Sequence, residues 1–235
     1  PLGVDARARL GGVQHRGGQF VVQGGVHGGT SGWKMIGALY PCCRQCASQL
    51  RILATMNTLN DFPITRKWPA RHPERLQLYS LPTPNGVKVS IALEELGLPY
   101  EAHRVSFDTQ EQLSPEFLSL NPNNKIPAIL DPHGPGGRPL ALWESGAILL
   151  YLADKTGQLL SQDPATRWHT VQWLMFQMGG VGPMFGQLGF FHKFAGKDWD
   201  DKRPRDRYAA ESARLLGVLD RQLHGRDWVL GSDYS

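Results

Sequence analysis

Two short polar side chains flank a proline in the stretch Thr83-Pro84-Asn85-Gly86. Before it, Leu76 to Leu81 alternates as a strand does. After it, Val89, Ala92, Leu93 and Leu96 fall on one helical face, with Gly97 as a terminator. A strand that passes straight into a helix leaves the first helical N–H groups without intrahelical partners, aimed over the turn. The Thr83 hydroxyl and Asn85 amide add donors at the same place. Such a tip suits an anion or a developing thiolate, and the same residues serve equally as a plain helix cap.

Two further places have comparable chemistry. Pro127 opens the apolar run of "NKIPAIL". A cis prolyl bond there presents the backbone of Ile126 to an extended peptide, whereas a trans proline merely starts a strand. Glu144-Ser145 stands where another strand hands over to a helix; Ser145 and the free N–H groups suit a carboxylate, and Glu144 suits an ammonium. An ordinary cap beside an acidic residue is the alternative. Together the three places fit a small peptide with a thiol, an amide backbone and an amino-acid-like end, and glutathione meets that description. Residues 56–235 contain no cysteine, so a reacting thiol must arrive with the ligand. A free thiol has a pKa of about 8.5. A hydrogen bond to a charged group contributes about 1.5–3 kcal/mol, enough to make a large fraction thiolate without a general base.

The elements that position these residues are legible. Tyr100 to Phe107 reads as a second strand and Ser114-Pro115-Glu116 as the capped start of a helix through Leu120. Residues 125–130 and 138–144 read as a hairpin around "DPHGPGG", and a helix capped by Ser145 runs to Gly157. The order βαβ-α-ββα predicts a compact α/β unit with a mixed sheet over residues 76–157. Beyond it, Trp168, Val171, Leu174, Met175 and Met178 form one apolar stripe at helical spacing, and Tyr208, Ser212, Leu215, Leu216, Leu219 and Leu223 another. Both are expected to be core. The aromatic, glycine-rich "GPMFGQLGFFHKFAGKDW" between them is expected to line a substrate pocket or a dimer face, with His192 and Lys193 on the surface.

The basic balance of the chain, +4 overall, is local. Arg7, Arg9, Arg16, Lys34, Arg44 and Arg51 face Asp5 alone in the first 55 residues, so the remainder is slightly acidic. That disfavours nucleic-acid or membrane-surface partners for the main body, and no apolar run reaches the roughly 20 residues that span a bilayer. All three cysteines, Cys42, Cys43 and Cys46, lie in this segment. Cys43-x-x-Cys46 has the outline of a redox pair, and with His15 and His27 a zinc site is conceivable, but the spacing fits no standard one. The favoured reading makes residues 1–75 an extension, disordered or not native, with Met56 available as an initiator and no metal bound.

The segments "LYSLPTPNGVKVSIALEEL", "FLSLNPNNKIPAILD" and "LALWESGAILLYLADKTG" resemble the glutathione S-transferase family, and with "WLMFQMGGVGPMFGQLGFF" the Nu-class bacterial enzymes. The resemblance runs from about Leu76 to Ser235. It implies a thioredoxin-like domain followed by an all-α domain (163–235), a cytoplasmic homodimer, and glutathione-dependent reduction of small disulfides with weaker transfer to electrophilic carbon. It also implies roles: Thr83 and Asn85 at the glutathione sulfur, Gln112 and the Ile126 backbone on the peptide beside a cis Pro127, and Lys125 at the glycine carboxylate. Glu144 and Ser145 would hold the γ-glutamyl end, and Arg207 would reach glutathione in the dimer. In the family a helix that is central to the second domain's core follows the place where this chain ends in "GSDYS", so the all-α domain is expected to be truncated. The alternative is a non-catalytic glutathione-binding or regulatory module on the same fold.

Overall fold

The computed structural model describes residues 11–16, 19–24, 57–231 and 234–235 of a chain that divides into two compact units, residues 1–50 and 51–235. In the first unit, β1 (Gly11–Arg16) and β2 (Gln19–Gly24) pair antiparallel from Gly11 opposite Gly24 to Arg16 opposite Gln19. Cys42, Cys43 and Cys46 lie outside the described residues.

The second unit begins earlier than the sequence led us to expect. Leu59, Phe62 and Ile64 are buried, the last at the start of the short helix α1 (Ile64–Lys67). They join a core with Tyr79, Val105, Phe117, Ala128 and Leu130. Trp68 lies edge-on to Tyr79 and Phe117 and donates its indole N–H to the Arg104 carbonyl. For residues 57–75 the reading as part of a disordered extension is therefore corrected. Apolar residues scattered among prolines and charges escape any periodic test, yet they cover a sheet face that needs covering.

The sheet has the order β4-β3-β5-β6. Central β3 (Leu76–Ser80) runs parallel to β4 (Tyr100–Arg104) and antiparallel to β5 (Ala128–Asp131), which pairs antiparallel with β6 (Leu140–Trp143). Alternation in β3 and β5 separates two cores rather than core from solvent. Leu76, Leu78 and Ile129 meet Val89 and Leu93 of α2 (Pro84–Glu95) and Ile148 and Leu152 of α4 (Ser145–Thr156). Tyr79, Ala128 and Leu130 face the opposite way, toward Phe117 of α3 (Pro115–Leu120) and the lead-in. The predicted caps form: Thr83 and Ser114 accept from the N–H groups of Gly86 and Phe117, each at 3.3 Å, with proline at the first helical position.

The helical half comprises α5 (Pro164–Phe176), a π turn over Gln177–Val181, α6 (Gly182–Lys193) and the long α7 (Arg203–Leu223). Asp163 caps α5 by accepting from Thr166 N at 2.8 Å. Here the stripes behave differently from expectation. Ser212 and Leu215 are buried, but Trp168, Met175, Leu216 and Leu223 are exposed. Periodicity identified the helices, but each stripe is only partly covered: Met178 packs over Gly146 and Tyr208 stacks on Phe191, while those four side chains face outward.

Candidate functional site

The cleft lies along the carboxyl-end turn of β3 and the start of β5, closed on its other side by the π turn and α6. It encloses about 540 Å³ and is lined by Asn85, Lys88, Asn121, Lys125, Ile126, Pro127, Glu144, Ser145, Gln177, Met178, Gly182, Pro183, Gly186 and Gln187. Six residues singled out from sequence are thus brought together: Asn85, Lys125, Ile126, Pro127, Glu144 and Ser145.

Each is held for a local reason. The tip of α2 can approach β3 because residue 86 is glycine: a Cβ there would lie 2.2 Å from the Leu81 carbonyl oxygen. The Ile126–Pro127 bond is cis. The ladder of β5 with β3 begins at Ala128, one residue after that bond. The preceding loop is tied down by Asn121, 1% exposed, whose amide donates to the Lys125 carbonyl and accepts from Asn123 N at 2.9 Å. Asn124 takes up the reversal at φ +50°.

At the other junction, Glu144 rather than Ser145 occupies the cap position, with φ +72° and ψ 114°. A backbone of that kind costs on the order of 1–3 kcal/mol and is kept where its surroundings impose it. Ser145 becomes the first helical residue; it is buried, with Oγ 3.6 Å from Met178 Sδ. Met178 lies flat over Gly146, where a Cβ would stand 2.8 Å from its Cγ. Lys88 spans the cleft, donating to Asn85 Oδ1 at 2.8 Å and Gln177 Oε1 at 3.0 Å. Desolvation lowers its pKa, partly opposed by the Glu144 charge.

Three predicted residues stand elsewhere. Thr83 caps α2 next to the cleft without lining it; its oxygen accepts from Gly86 N, leaving its proton free to donate. Gln112 lies on the short 3-10 turn Glu111–Leu113, and its Oε1 is buried without a hydrogen-bond partner. Arg207 is exposed on α7. Sequence reasoning missed Lys88, Asn121, Gln177, Met178 and Gln187. Lys88 had a readable signal, one turn after Asn85 on the same face of α2. The π turn had only its Gly179-Gly180 pair, and such turns recur at functional sites. The aromatic, glycine-rich segment does line the cleft, through Gly182, Pro183, Gly186 and Gln187.

The charges in this cleft have a pattern. Lys88 and Lys125 supply two cations and Glu144 one anion, alongside the Asn85, Gln177 and Gln187 amides. Among the described residues, no group of three or more His, Cys, Asp or Glu is placed to hold a metal ion, and no helix is long and apolar enough to cross a membrane.

Residues 74–154 match the family described as Glutathione S-transferase, N-terminal domain. The chain is 48% identical over 162 residues to Disulfide-bond oxidoreductase YfcG of Escherichia coli (strain K12), covering 68% of this chain and 74% of that one. It is 42% identical over 172 residues to Disulfide-bond oxidoreductase YghU of the same organism, covering 70% of this chain and 57% of the relative. Among solved structures, a glutathione transferase from Pseudomonas putida with one glutathione disulfide bound per subunit superposes with a TM-score of 0.74 at 76% identity, over 76% of this chain and 77% of that one. One from Burkholderia graminis, with two glutathione molecules bound per subunit, gives 0.75 at 74% identity, over 77% and 75% of the two chains.

Proposed function

The chain belongs to the glutathione S-transferase family, and we propose that its cleft activates the thiol of glutathione for the reduction of small disulfides, with transfer to electrophilic carbon as a weaker activity. The observation that carries this reading is the match of charges. Glutathione has two carboxylates, one ammonium and one thiol; the cleft offers Lys125 and the Ser145 start of α4 for the carboxylates, Glu144 for the ammonium, and amide donors near the tip of α2 for the thiol. Lys125 takes the glycine carboxylate. Glu144 takes the γ-glutamyl ammonium, and Ser145 with the first N–H groups of α4 takes its carboxylate. The backbone of Ile126 pairs with the cysteinyl amide in the manner of an added strand, supported by Gln112. That arrangement directs the sulfur to Asn85 and the free proton of Thr83.

The chemistry requires two thiols in sequence. A glutathione thiolate attacks one sulfur of the substrate disulfide, forming a mixed disulfide and expelling the other half as thiolate, which takes up a proton. A second glutathione thiolate attacks the glutathionyl sulfur of the mixed disulfide, giving glutathione disulfide and releasing the second half. The relatives solved with glutathione disulfide or two glutathione molecules per subunit support a cleft of this size holding both tripeptides. A homodimer in a reducing cytoplasm completes the proposal, with Arg207 contributing at the assembled site.

The test is turnover of a small hydroxyalkyl disulfide with reduced glutathione. The double variant Thr83→Ala, Asn85→Ala is expected to lose at least about a hundredfold in kcat/KM, as about 2.7 kcal/mol of transition-state stabilisation implies. Full activity in that variant would remove the role assigned to the tip. Glutathione binding without any turnover would favour the regulatory module.

A further inference from the structure

Lys88 is a second residue of the tip whose surroundings ask for an explanation. Its ammonium lies 2.8 Å from Asn85 Oδ1, 3.0 Å from Gln177 Oε1, 3.5 Å from Ser145 Oγ and 3.8 Å from Met178 Sδ. All four are neutral acceptors. Glu144 acts on Lys88 through its field, and among the described residues no carboxylate is hydrogen-bonded to it. A partly buried cation held this way keeps most of its charge available to an anion entering the cleft.

The contact with Asn85 has a consequence for which way the amide faces. An ammonium donates and cannot accept, so only the oxygen of the Asn85 amide can lie against it. The Nδ2 group is thereby committed to the other edge of the planar amide, as a donor, on a residue that lines the cleft. Engaging the oxygen with a cation also polarises the amide and strengthens its N–H as a donor. Without Lys88 the amide is free to turn over, and half of its orientations would present a lone pair to an approaching sulfur.

We propose that Lys88 is a positioning residue for thiol activation: it fixes the Asn85 amide with its N–H toward the sulfur of glutathione and places a positive charge behind it. This rests on the reading of the cleft as a glutathione site. The competing role is mechanical, since Lys88 also ties α2 to the π turn through Gln177.

The full chain, its Lys88→Met and Lys88→Arg variants, and Asn85→Ala with and without Lys88→Met separate the two. The readouts are the ultraviolet absorbance of bound glutathione thiolate against pH and the pH profile of kcat/KM for disulfide reduction. Lys88→Met is expected to raise the midpoint of both by about one pH unit. It should cost about tenfold in kcat/KM below that midpoint, with recovery at higher pH. Lys88→Arg should restore most of the loss. In the Asn85→Ala background Lys88→Met should add less than about threefold, the part its charge exerts directly on the sulfur, because the rest of its effect passes through that amide. Activity reduced equally at every pH with an unmoved midpoint, or full additivity with Asn85→Ala, would overturn the assignment. Should Lys88→Met fail to fold, Lys88→Gln, which keeps a hydrogen-bonding tie without the charge, is read in the same way. A wild-type chain that neither binds nor turns over glutathione removes the functional reading itself. Binding and turnover with an unmoved Lys88→Met midpoint removes only the role of Lys88.

Discussion

In residues 57–157, Phe117, Leu93, Ile129 and Ile148 have no solvent exposure, and helices or the lead-in cover both faces of the sheet. In residues 164–231, Leu215 is 2% exposed, but Leu216 beside it keeps 51% and Trp168 keeps 69%. Both halves have apolar residues at the spacing of their elements. In the first, each stripe meets another; in the second, α7 touches the π turn through Leu215, which lies 3.3 Å from where a Cβ on Gly180 would be, and much of the rest faces outward. The cleft takes one wall from each half. The lining residues proposed to anchor glutathione, Asn85, Ile126, Pro127, Glu144 and Ser145, stand on the packed half, where a dense core resists displacement. Gln177, Met178 and Gln187 stand on the other, so the lining of the cleft is divided between two kinds of scaffold.

The largest effect expected from this contrast is at Phe117. It is fully buried, packs between the lead-in and the inner face of β3 and β5, and meets Trp68 edge-on. Phe117→Ala should destabilise the chain by about 4 kcal/mol through lost burial and the cavity left behind. Chemical denaturation followed by tryptophan fluorescence measures this. A cost near 1 kcal/mol would mean that the lead-in does not close this core.

Next in size is Asp131, at the end of β5 and 2% exposed. It accepts from Tyr151 Oη at 2.6 Å, Lys155 Nζ at 2.7 Å and His133 N at 2.8 Å. Burial alone would raise its pKa, but these donors and the Lys155 charge outweigh burial and hold it below the usual carboxylate value. A depressed folded value contributes stability that is present above the unfolded value, about pH 4, and is lost as pH falls through the folded one. Asp131→Asn should therefore cost about 2 kcal/mol at pH 7, and the gap from wild type should narrow below about pH 4. A gap independent of pH would mean that packing, not charge, sets the value of this cluster.

The same contrast explains what could be read beforehand. Thr83, Ser114 and Pro115 announce their helices because a cap is decided within four residues, and Pro127 and the Glu144-Ser145 junction sit at strand ends that period 2 already marks, although residue types alone left the prolyl isomer open. Leu59, Phe62 and Ile64 were invisible because their burial is imposed by a sheet face far along the chain. Lys88 was within reach, one turn from Asn85, but its partners Gln177 and Met178 are about ninety positions away. The cap at Glu144 rather than Ser145 depends on a positive φ that no side-chain preference predicts. The helical stripes were placed correctly on their helices but only partly in the core, Ser212 and Leu215 being buried and Trp168 and Leu216 exposed, since periodicity records which face is apolar and not whether anything lies over it.

The smallest effect sharpens the comparison most. Trp168 is a larger side chain than Phe117 and belongs to an equally regular stripe, so sequence alone would give its truncation the greater cost. At 69% exposure it has little buried surface to lose. Trp168→Ala should change stability by no more than about 0.5 kcal/mol, the range of surface substitutions. The same denaturation assay on the full chain checks it, with intrinsic fluorescence replaced by circular dichroism because the variant loses a fluorophore. A loss approaching that of Phe117→Ala would require a surface packed over α5 in solution, and the two halves would then be alike in how they use their apolar residues. A null effect beside a large one at Phe117 places the chain's stability in the half that also holds the proposed anchors. Substitutions that unfold that half would then abolish glutathione binding along with structure, whereas changes to the stripe of α5 would leave the anchors in place.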